Sequence, residues 1–213
     1  MLQQLSEIQA RVLGCLIEKK ETTPEQYPLT TNSLRLACNQ KTARNPITSY
    51  TEGEVGRSVR ELISMGLAKE AWGARVAKYE HEAGKALGLQ SKSLALLCPL
   101  ILRGPQTAGE LKINAQRLFE FADLDDVVYS LKRLAEHDPA LVVCLPRQPG
   151  QKEERYAHLL CGEPSIPEVS RAPAAAREGL EQRITALETA VAELAERLAR
   201  LEPQDQTRQE SHD

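Results

Sequence analysis

Apolar residues recur at helical spacing in three segments near the start of the chain. Ser6 opens a Ser-x-x-Gln capping box ahead of apolar positions between Ile8 and Leu16, which predicts a first helix. Thr30 stands where an N-cap is expected for a short second helix. Thr51 opens another capping box, and the apolar stripe behind it predicts a third helix that ends at Gly66.

The period of the pattern changes after the third helix. Residues 67–81 are typical of two strands joined by a turn at Trp72, Gly73 and Ala74. Three helices followed by a two-stranded hairpin is the order of elements in a winged helix, a relative of the helix-turn-helix.

The same order then recurs. A helix is predicted around residues 94–103, Thr107 opens a further capping box, and Asp123 is the expected N-cap of another helix. Strands are predicted at 141–145 and 155–160, on either side of a polar turn. We interpret the recurrence as a degenerate internal duplication.

A proline-rich linker separates this region from a regular heptad pattern near the end of the chain. Leucine fills every d position, and two of the three a positions carry β-branched residues, which favours a parallel two-stranded coiled coil. The residues of the predicted dimer seam are Leu180, Ile184, Leu187, Val191, Leu194, Leu198 and Leu201. The alternative is an amphipathic helix that folds back onto the body, and we favour self-association.

The predicted fold class is therefore mainly α with small β-hairpins (α+β), made of tandem winged-helix domains and a C-terminal coiled-coil helix. The predicted segments are winged-helix domain 1 at 1–84, winged-helix domain 2 at 85–162, a linker at 163–176, the coiled-coil helix at 177–202 and a disordered tail at 203–213.

Composition and charge make some classes of function improbable but do not identify the function. The five cysteines are scattered without a CxxC pair, and the start of the chain lacks a basic region followed by an apolar one, so we expect a cytoplasmic protein. The four histidines are dispersed and no phosphate-binding glycine loop is visible, so we expect neither an enzyme nor a bound cofactor or metal. The net charge of −3 comes from residues 165–213, since residues 1–164 carry 21 basic and 20 acidic residues.

Several stretches resemble one uncharacterised bacterial family. They are TTPEQYPLTTNSLRLACNQKTARNP from Thr22, ARVLGCLIEK at residues 10–19, LRGPQTAGEL at 102–111 and PGQKEERYAHL at 149–159. Together they are similar to the YceH family over nearly the whole chain. This resemblance implies a tandem winged-helix fold, a presumed link to DNA and no enzymatic activity.

A winged helix that binds DNA in this way places its third helix in the major groove and its wing against the backbone or minor groove. The basic residues on the third helix, the adjoining loop and the two wings are therefore the candidate contacts with double-stranded DNA. They are Lys41, Arg44, Arg57, Arg60, Arg75, Lys78, Arg147, Lys152 and Arg155.

Two functions remain open at this point. One is a dimeric DNA-associated protein, for example a regulator, in which the coiled coil holds two pairs of arms together. The other is a scaffold that docks an unidentified protein partner, which the near-neutral body and the acidic first turns of both third helices favour. Carboxylates in those turns repel phosphates, although helix capping explains them equally well.

Overall fold

A computed structural model of the chain describes residues 3–73, 75–164 and 187–198. The fold is mixed α+β, with small antiparallel sheets among the helices. Residues Met1–Ser165 form one compact unit, and Ile166–Asp213 form a second. Within the described ranges, no helix has the length and apolar character needed to cross a membrane.

The first half of the larger unit follows the predicted order, with one added strand. Its elements are α1 (Glu7–Thr22), β1 (Leu29–Thr30), α2 (Thr31–Cys38), α3 (Glu52–Ser64), β2 (Ala68–Ala71) and β3 (Lys78–His81). The predicted N-caps are confirmed, since the side chains of Ser6, Thr30 and Thr51 each accept a backbone N–H from the first turn of their helix. Gly66 adopts a positive φ of 73° just after α3, as a residue that ends a helix does.

The added strand β1 completes a three-stranded antiparallel sheet. The strand order is β1-β3-β2, with Leu29 opposite Tyr79 and Ala68 opposite His81. Leu29 and Tyr79 are buried, so this short strand carries core contacts as well as ladder hydrogen bonds.

The second half repeats this plan. Its elements are a single-turn helix α4 (Ala83–Ala86), then α5 (Ser91–Arg103), α6 (Ala108–Ala115), α7 (Leu124–Ala135), β4 (Val142–Leu145) and β5 (Arg155–His158). The place of β1 is taken by an isolated bridge, in which Gln106 and Tyr156 exchange two backbone hydrogen bonds of 3.0 and 2.7 Å.

Equivalent side chains in the two halves make equivalent contacts. The hydroxyls of Ser58 and Ser130 are buried on α3 and α7, and each donates to the carbonyl four residues earlier. His81 and His158 each end the last strand of their half. Burial lowers the pKa of each to about 4, and the Nδ1 atom of each is buried with no hydrogen-bond partner in the described part of the chain. These matched positions support the predicted internal repeat.

Helix α1 is the centre of the larger unit. Every residue from Gln9 to Ile17 is buried, because α1 packs on α3 on one side and on α5 of the second half on the other. The closest approach is at Gly14, where a Cβ atom would lie 2.8 Å from Ile101 Cγ2 and 2.9 Å from Leu102 Cδ2. At the same residue, the Cys98 thiol on α5 donates a hydrogen bond to the Gly14 carbonyl at 3.4 Å.

The predicted domain limits stay predictions. The boundary placed between residues 84 and 85 falls inside the α4 turn, and both halves belong to one compact unit. Most of the predicted linker and the whole predicted tail lie outside the described residues. Residues 187–198 form a helix, in the middle of the segment predicted to be one.

We predict that Gly14→Val destabilises the protein by about 1–3 kcal/mol, because the added side chain overpacks the contact between α1 and α5. Gly53→Ala is the matched control, since Gly53 is exposed on α3 and a Cβ atom added there would meet nothing within 4 Å. That control should raise stability by up to about 0.5–1 kcal/mol through helix propensity. Urea unfolding measures both, and a Gly14→Val protein as stable as wild type would contradict the close approach.

Candidate nucleic-acid interface

Helix α3 presents two of the predicted DNA contacts to solvent. Its apolar stripe, which includes Val55, Val59 and Leu62, is buried against the body. Arg57 and Arg60 therefore fall on the exposed side, one turn of the helix apart. Neither guanidinium has an ion-pair partner in the described part of the chain, although the charge of Arg57 helps to lower the pKa of Glu54. Both side chains are exposed and can meet an anionic ligand.

The acidic first turn of α3 is partly committed to capping. Glu54 Oε2 accepts the backbone N–H of Thr51 at 2.7 Å, and the hydrogen bonds from Thr51 lower the pKa of this carboxyl group. Glu52 is exposed in the same turn. In the equivalent turn of α7, Asp123 caps the helix and Asp126 pairs with Lys92. The capping interpretation of these acidic turns is thus confirmed for Glu54 and Asp123.

The long polar loop between α2 and α3 is held at both ends and in the middle. The Asn39 side chain accepts the N–H of Tyr50 at 2.9 Å and donates to the Tyr50 carbonyl at 2.8 Å. The Asn45 N–H donates to the Leu102 carbonyl at 2.8 Å, and Arg11 donates to the Pro46 carbonyl at 2.8 Å. These contacts show that the loop joins α1, α2 and α5.

Arg44 is buried in this loop and is not available to phosphate. Its guanidinium binds the Glu18 carboxylate through two hydrogen bonds of 3.0 and 2.6 Å and also donates to the carbonyls of Ala37 and Ala43. The side chain is fully shielded from solvent. The prediction that Arg44 contacts DNA is therefore wrong, because the charge already neutralises a carboxylate on α1. Lys41, three residues earlier, is exposed.

The ionisation of this pair follows from its burial. Removal from water by itself raises the pKa of Glu18, but the hydrogen bond and positive charge of Arg44 outweigh that cost and lower the net pKa. The pKa of Arg44 is raised in turn, although burial alone acts in the opposite direction. Both groups are charged at neutral pH. Removing Glu18 leaves the buried Arg44 charge without a carboxylate, and removing Arg44 leaves the largely buried Glu18 with Lys19, at 3.5 Å, as its ion-pair partner.

The first hairpin, β2 and β3, carries its two predicted contacts in different settings. Arg75 is exposed beyond the end of β2, and Lys78 is half-buried at the start of β3. Lys69 on β2 pairs with Glu80 and Glu82 instead. One exposed residue of this hairpin was not among the predicted contacts, namely Trp72, whose side chain is 100% exposed. The turn was predicted correctly, but the sequence pattern alone did not show whether this ring would be buried.

The second hairpin, β4 and β5, divides its predicted contacts in a similar way. Arg147 and Lys152 are exposed in the connecting turn. Arg155 is held by Glu110 through two hydrogen bonds of 3.0 Å and donates to the Pro105 carbonyl at 2.9 Å. Its guanidinium thus joins β5 to α6 and stays partly exposed, and its predicted contact with DNA stays a prediction.

The structure describes four residues of the predicted dimer seam. Leu187, Val191, Leu194 and Leu198 lie on the helix 187–198 and are between 58 and 65% exposed. Leu180, Ile184 and Leu201 lie outside the described residues. The exposed row is an apolar surface without a partner within the described part of its own unit.

Two further features of the described residues bear on ligand binding, the spacing of metal-ligating side chains and a cleft beside α1. Across residues 3–73, 75–164 and 187–198, no group of three histidine, cysteine, aspartate or glutamate side chains has the geometry of a metal site. A cleft of about 440 Å³ lies beside Arg11, Tyr50, Ile101 and His158. Its buried guanidinium already donates to the carbonyls of Cys38 and Pro46.

Comparison with known proteins places the chain among proteins of undetermined function. The profile of DUF480, described as a protein of unknown function, matches residues 5–151. A UPF0502 protein of Dechloromonas aromatica is 46% identical over 197 residues, which cover 90% of this chain and 92% of the relative. A UPF0502 protein of Koribacter versatilis is 50% identical over 191 residues, 87% of each chain. A third, from Xanthomonas campestris, is 46% identical over 207 residues, which cover 93% of this chain and 92% of the relative. The resemblance to an uncharacterised bacterial family is confirmed.

We predict that Arg44→Ala lowers the free energy of unfolding by about 3–5 kcal/mol, because it removes both hydrogen bonds from the buried guanidinium to the largely buried Glu18 carboxylate and leaves that carboxylate with Lys19 alone. Lys41→Ala is the control from the same loop, and its exposed charge should change stability by no more than about 0.5 kcal/mol. Chemical denaturation of the full chain compares the two. Equal stability of both variants would mean that the Arg44 pair does not hold the loop.

Proposed function

We propose that this chain, which belongs to the DUF480 family of proteins of unknown function, is a non-enzymatic cytoplasmic protein that binds double-stranded DNA as a dimer. A dimer that binds DNA in this way would suit a transcriptional regulator. The observation that carries the proposal is the pair of exposed, unpaired guanidinium groups of Arg57 and Arg60 on α3.

The element order supports a tandem winged-helix interpretation of the fold. In the first half, a helix, a short strand, two helices and a hairpin follow one another, and the short strand pairs with the last strand of the hairpin. The second half has the same order, with the bridge between Gln106 and Tyr156 at the position of the short strand. In this interpretation α3 and α7 hold the position of the third helix of a winged helix, the helix that enters the groove where such a domain binds DNA, and the two hairpins are the wings.

The first half carries the features suited to phosphate contact. Arg57 and Arg60 lie on the outer side of α3, and Lys41, Arg75 and Lys78 belong to the adjoining loop and wing. Contacts of this kind fix a protein on the DNA backbone without reading bases. Arg147 and Lys152 add two exposed cations on the second wing.

The second half favours protein docking as a second candidate function. When Ser58 and Ser130 are matched, the position of Arg57 on α3 corresponds to Tyr129 on α7. Tyr129 is 59% exposed, and Leu124 and Val128 are exposed on the same helix. The outer face of the first two turns of α7 is apolar and lies beside exposed carboxylates, which does not suit a phosphate backbone. Lys132 and Arg133 are exposed near the end of the same helix, so we assign its first two turns, rather than the whole half, to a protein contact.

The helix 187–198 supplies the proposed means of dimerisation. Leu187, Val191, Leu194 and Leu198 form an exposed row at the a and d spacing of a coiled coil. Pairing this row with its copy removes it from water. A dimer joined in this way presents two α3 helices to one DNA molecule, so that two weak contacts act together.

We predict that the full chain binds random duplex DNA with an affinity that falls about ten-fold or more between roughly 50 and 200 mM salt. Replacing both Arg57 and Arg60 by alanine should weaken binding and reduce the slope of log affinity against log salt by about two. The matched control replaces Lys132 and Arg133, two exposed cations on α7, and should have a much smaller effect. Fluorescence anisotropy of labelled DNA measures all three proteins.

Two outcomes of this measurement would overturn the DNA assignment. One is the absence of binding by the wild-type chain even at low salt. The other is an equal loss of affinity in the α3 and α7 variants, which would show that overall charge rather than the α3 surface governs binding.

We predict that Leu194→Glu converts a dimer into a monomer, because a carboxylate at a d position would be buried in the coiled-coil seam. Ala192→Glu adds the same charge at an outer b position two residues away and should leave the dimer intact. Sedimentation velocity of the full-length proteins distinguishes the two masses. A wild-type protein that is monomeric at tens of micromolar, on the order of the concentrations where short coils pair, would contradict the proposed seam.

A further inference from the structure

The tip of the first hairpin exposes the single tryptophan of the chain. Strands β2 and β3 pair up to Ala71 opposite Lys78, and Trp72 follows directly, with its side chain 100% exposed. Gly73 continues the turn with a φ of 89°, a conformation that glycine adopts without strain. Val76 on the other arm of the turn is 61% exposed.

A tryptophan in this position contributes nothing to the core. Burying an indole removes about 150–250 Å² from water, and that gain is absent when the ring is fully exposed. The turn itself needs only Gly73 at its positive φ, so the geometry of the hairpin does not account for the ring. An aromatic ring that the fold leaves in solvent is available for a surface contact with another molecule.

The charges beside Trp72 favour a nucleic acid as that molecule. Arg75 and Lys78 are the charged residues between positions 71 and 78, and the neighbouring carboxylate along the chain is Glu70, exposed on β2. The two cations of the tip thus outnumber the one carboxylate beside it. Cations close to an exposed ring are the combination with which proteins hold a phosphate backbone and stack on its bases. An acidic or purely apolar surface would instead have indicated a protein segment.

The second hairpin lacks this combination, although it stands at the equivalent place. Its turn, residues 146–154, has no aromatic residue, and Arg147 and Lys152 are balanced by Glu153 and Glu154. The first wing therefore suits nucleic acid better than the second wing does, just as the outer face of α3 suits it better than that of α7. Among the described residues, the first half combines two exposed guanidinium groups on its third helix with a ring at its wing tip, whereas the second half has exposed Arg133 on α7 and no ring at its wing tip.

We infer that Trp72 stacks on the face of a nucleobase when the first half binds DNA. This inference rests on the proposed DNA binding and adds the chemical group that the wing contacts. In a regular duplex the base faces are covered by their neighbours. The ring thus requires either an unpaired base at a fork or a flexible step that a side chain can wedge open.

The indole fluorescence of the full-length protein tests this directly, because Trp72 is its single tryptophan. Three DNAs of equal length are titrated in parallel with anisotropy of the labelled DNA. They are a duplex without flexible pyrimidine–purine steps, a duplex with a central TA step, and a duplex that ends in a single-stranded fork. We expect Trp72 to be quenched by the TA-step duplex, by the fork, or by both, and the identity of the quenching DNA tells a wedged step from an unpaired base.

Substitutions at residue 72 separate stacking from general hydrophobic contact. Trp72→Leu keeps an apolar side chain but removes the ring, and it should lower affinity for the quenching DNA by about five-fold or more. Trp72→Phe should retain most of that affinity. Tyr129→Leu is the matched control, an exposed aromatic residue on α7 whose loss should leave DNA affinity unchanged.

The outcomes distinguish this inference from the proposal on which it rests. Anisotropy that shows no binding to any of the three DNAs overturns both. Binding without a change in Trp72 fluorescence, or with an unchanged affinity for Trp72→Leu, overturns the stacking inference alone and leaves the ring as a contact for a protein partner.

Discussion

The fold depends on burying one helix from nearly all sides. Helix α1 packs on α3 and on α5, so the polar side chains of its buried stretch are removed from water and must be paired within the protein. Gln9 donates to Glu61 at 2.7 Å, and Arg11 donates to two carbonyls of the loop and of α2. Glu18 receives the guanidinium of Arg44. These bonds fix the loop and α3 relative to α1, because each group left unpaired would cost more than an ordinary surface hydrogen bond is worth.

The same requirement decides which positive charges remain for binding. Arg11 and Arg44 form hydrogen bonds inside the protein, and Arg155 binds Glu110 between β5 and α6. Arg57 and Arg60 stay free because α3 is amphipathic and its apolar stripe alone faces the body. The net charge of residues 1–164 is close to zero and would not by itself suggest a nucleic-acid protein. The exposed charges without an ion-pair partner in the described residues, rather than the net charge, determine which anionic ligands the surface can bind.

Local patterns allowed much of the fold to be predicted, and long-range pairing accounts for most of what was missed. The capping boxes that begin at Ser6, Thr51 and Thr107 involve residues three apart, so the sequence displays the whole interaction. Glu18 and Arg44 are 26 residues apart in different elements, and nothing local marks them as partners. The strand β1 was missed for the same reason, because two residues carry no periodic pattern and gain their structure from β3.

The two halves share a set of contacts among buried residues and differ in their exposed residues. Ser58 and Ser130 hold the same position and make the same bond, yet the residue before each is Arg57 in one half and Tyr129 in the other. Internal positions are constrained by the need to satisfy buried polar groups, which both halves share. Outer positions are constrained by what they contact. Both helices keep a cation at the position of Arg60, which is Lys132 in α7, but Arg57 is replaced by the exposed ring of Tyr129. A repeat that preserves its interior while this outer position changes from a guanidinium to an aromatic ring is better explained by two different partners than by one partner bound twice.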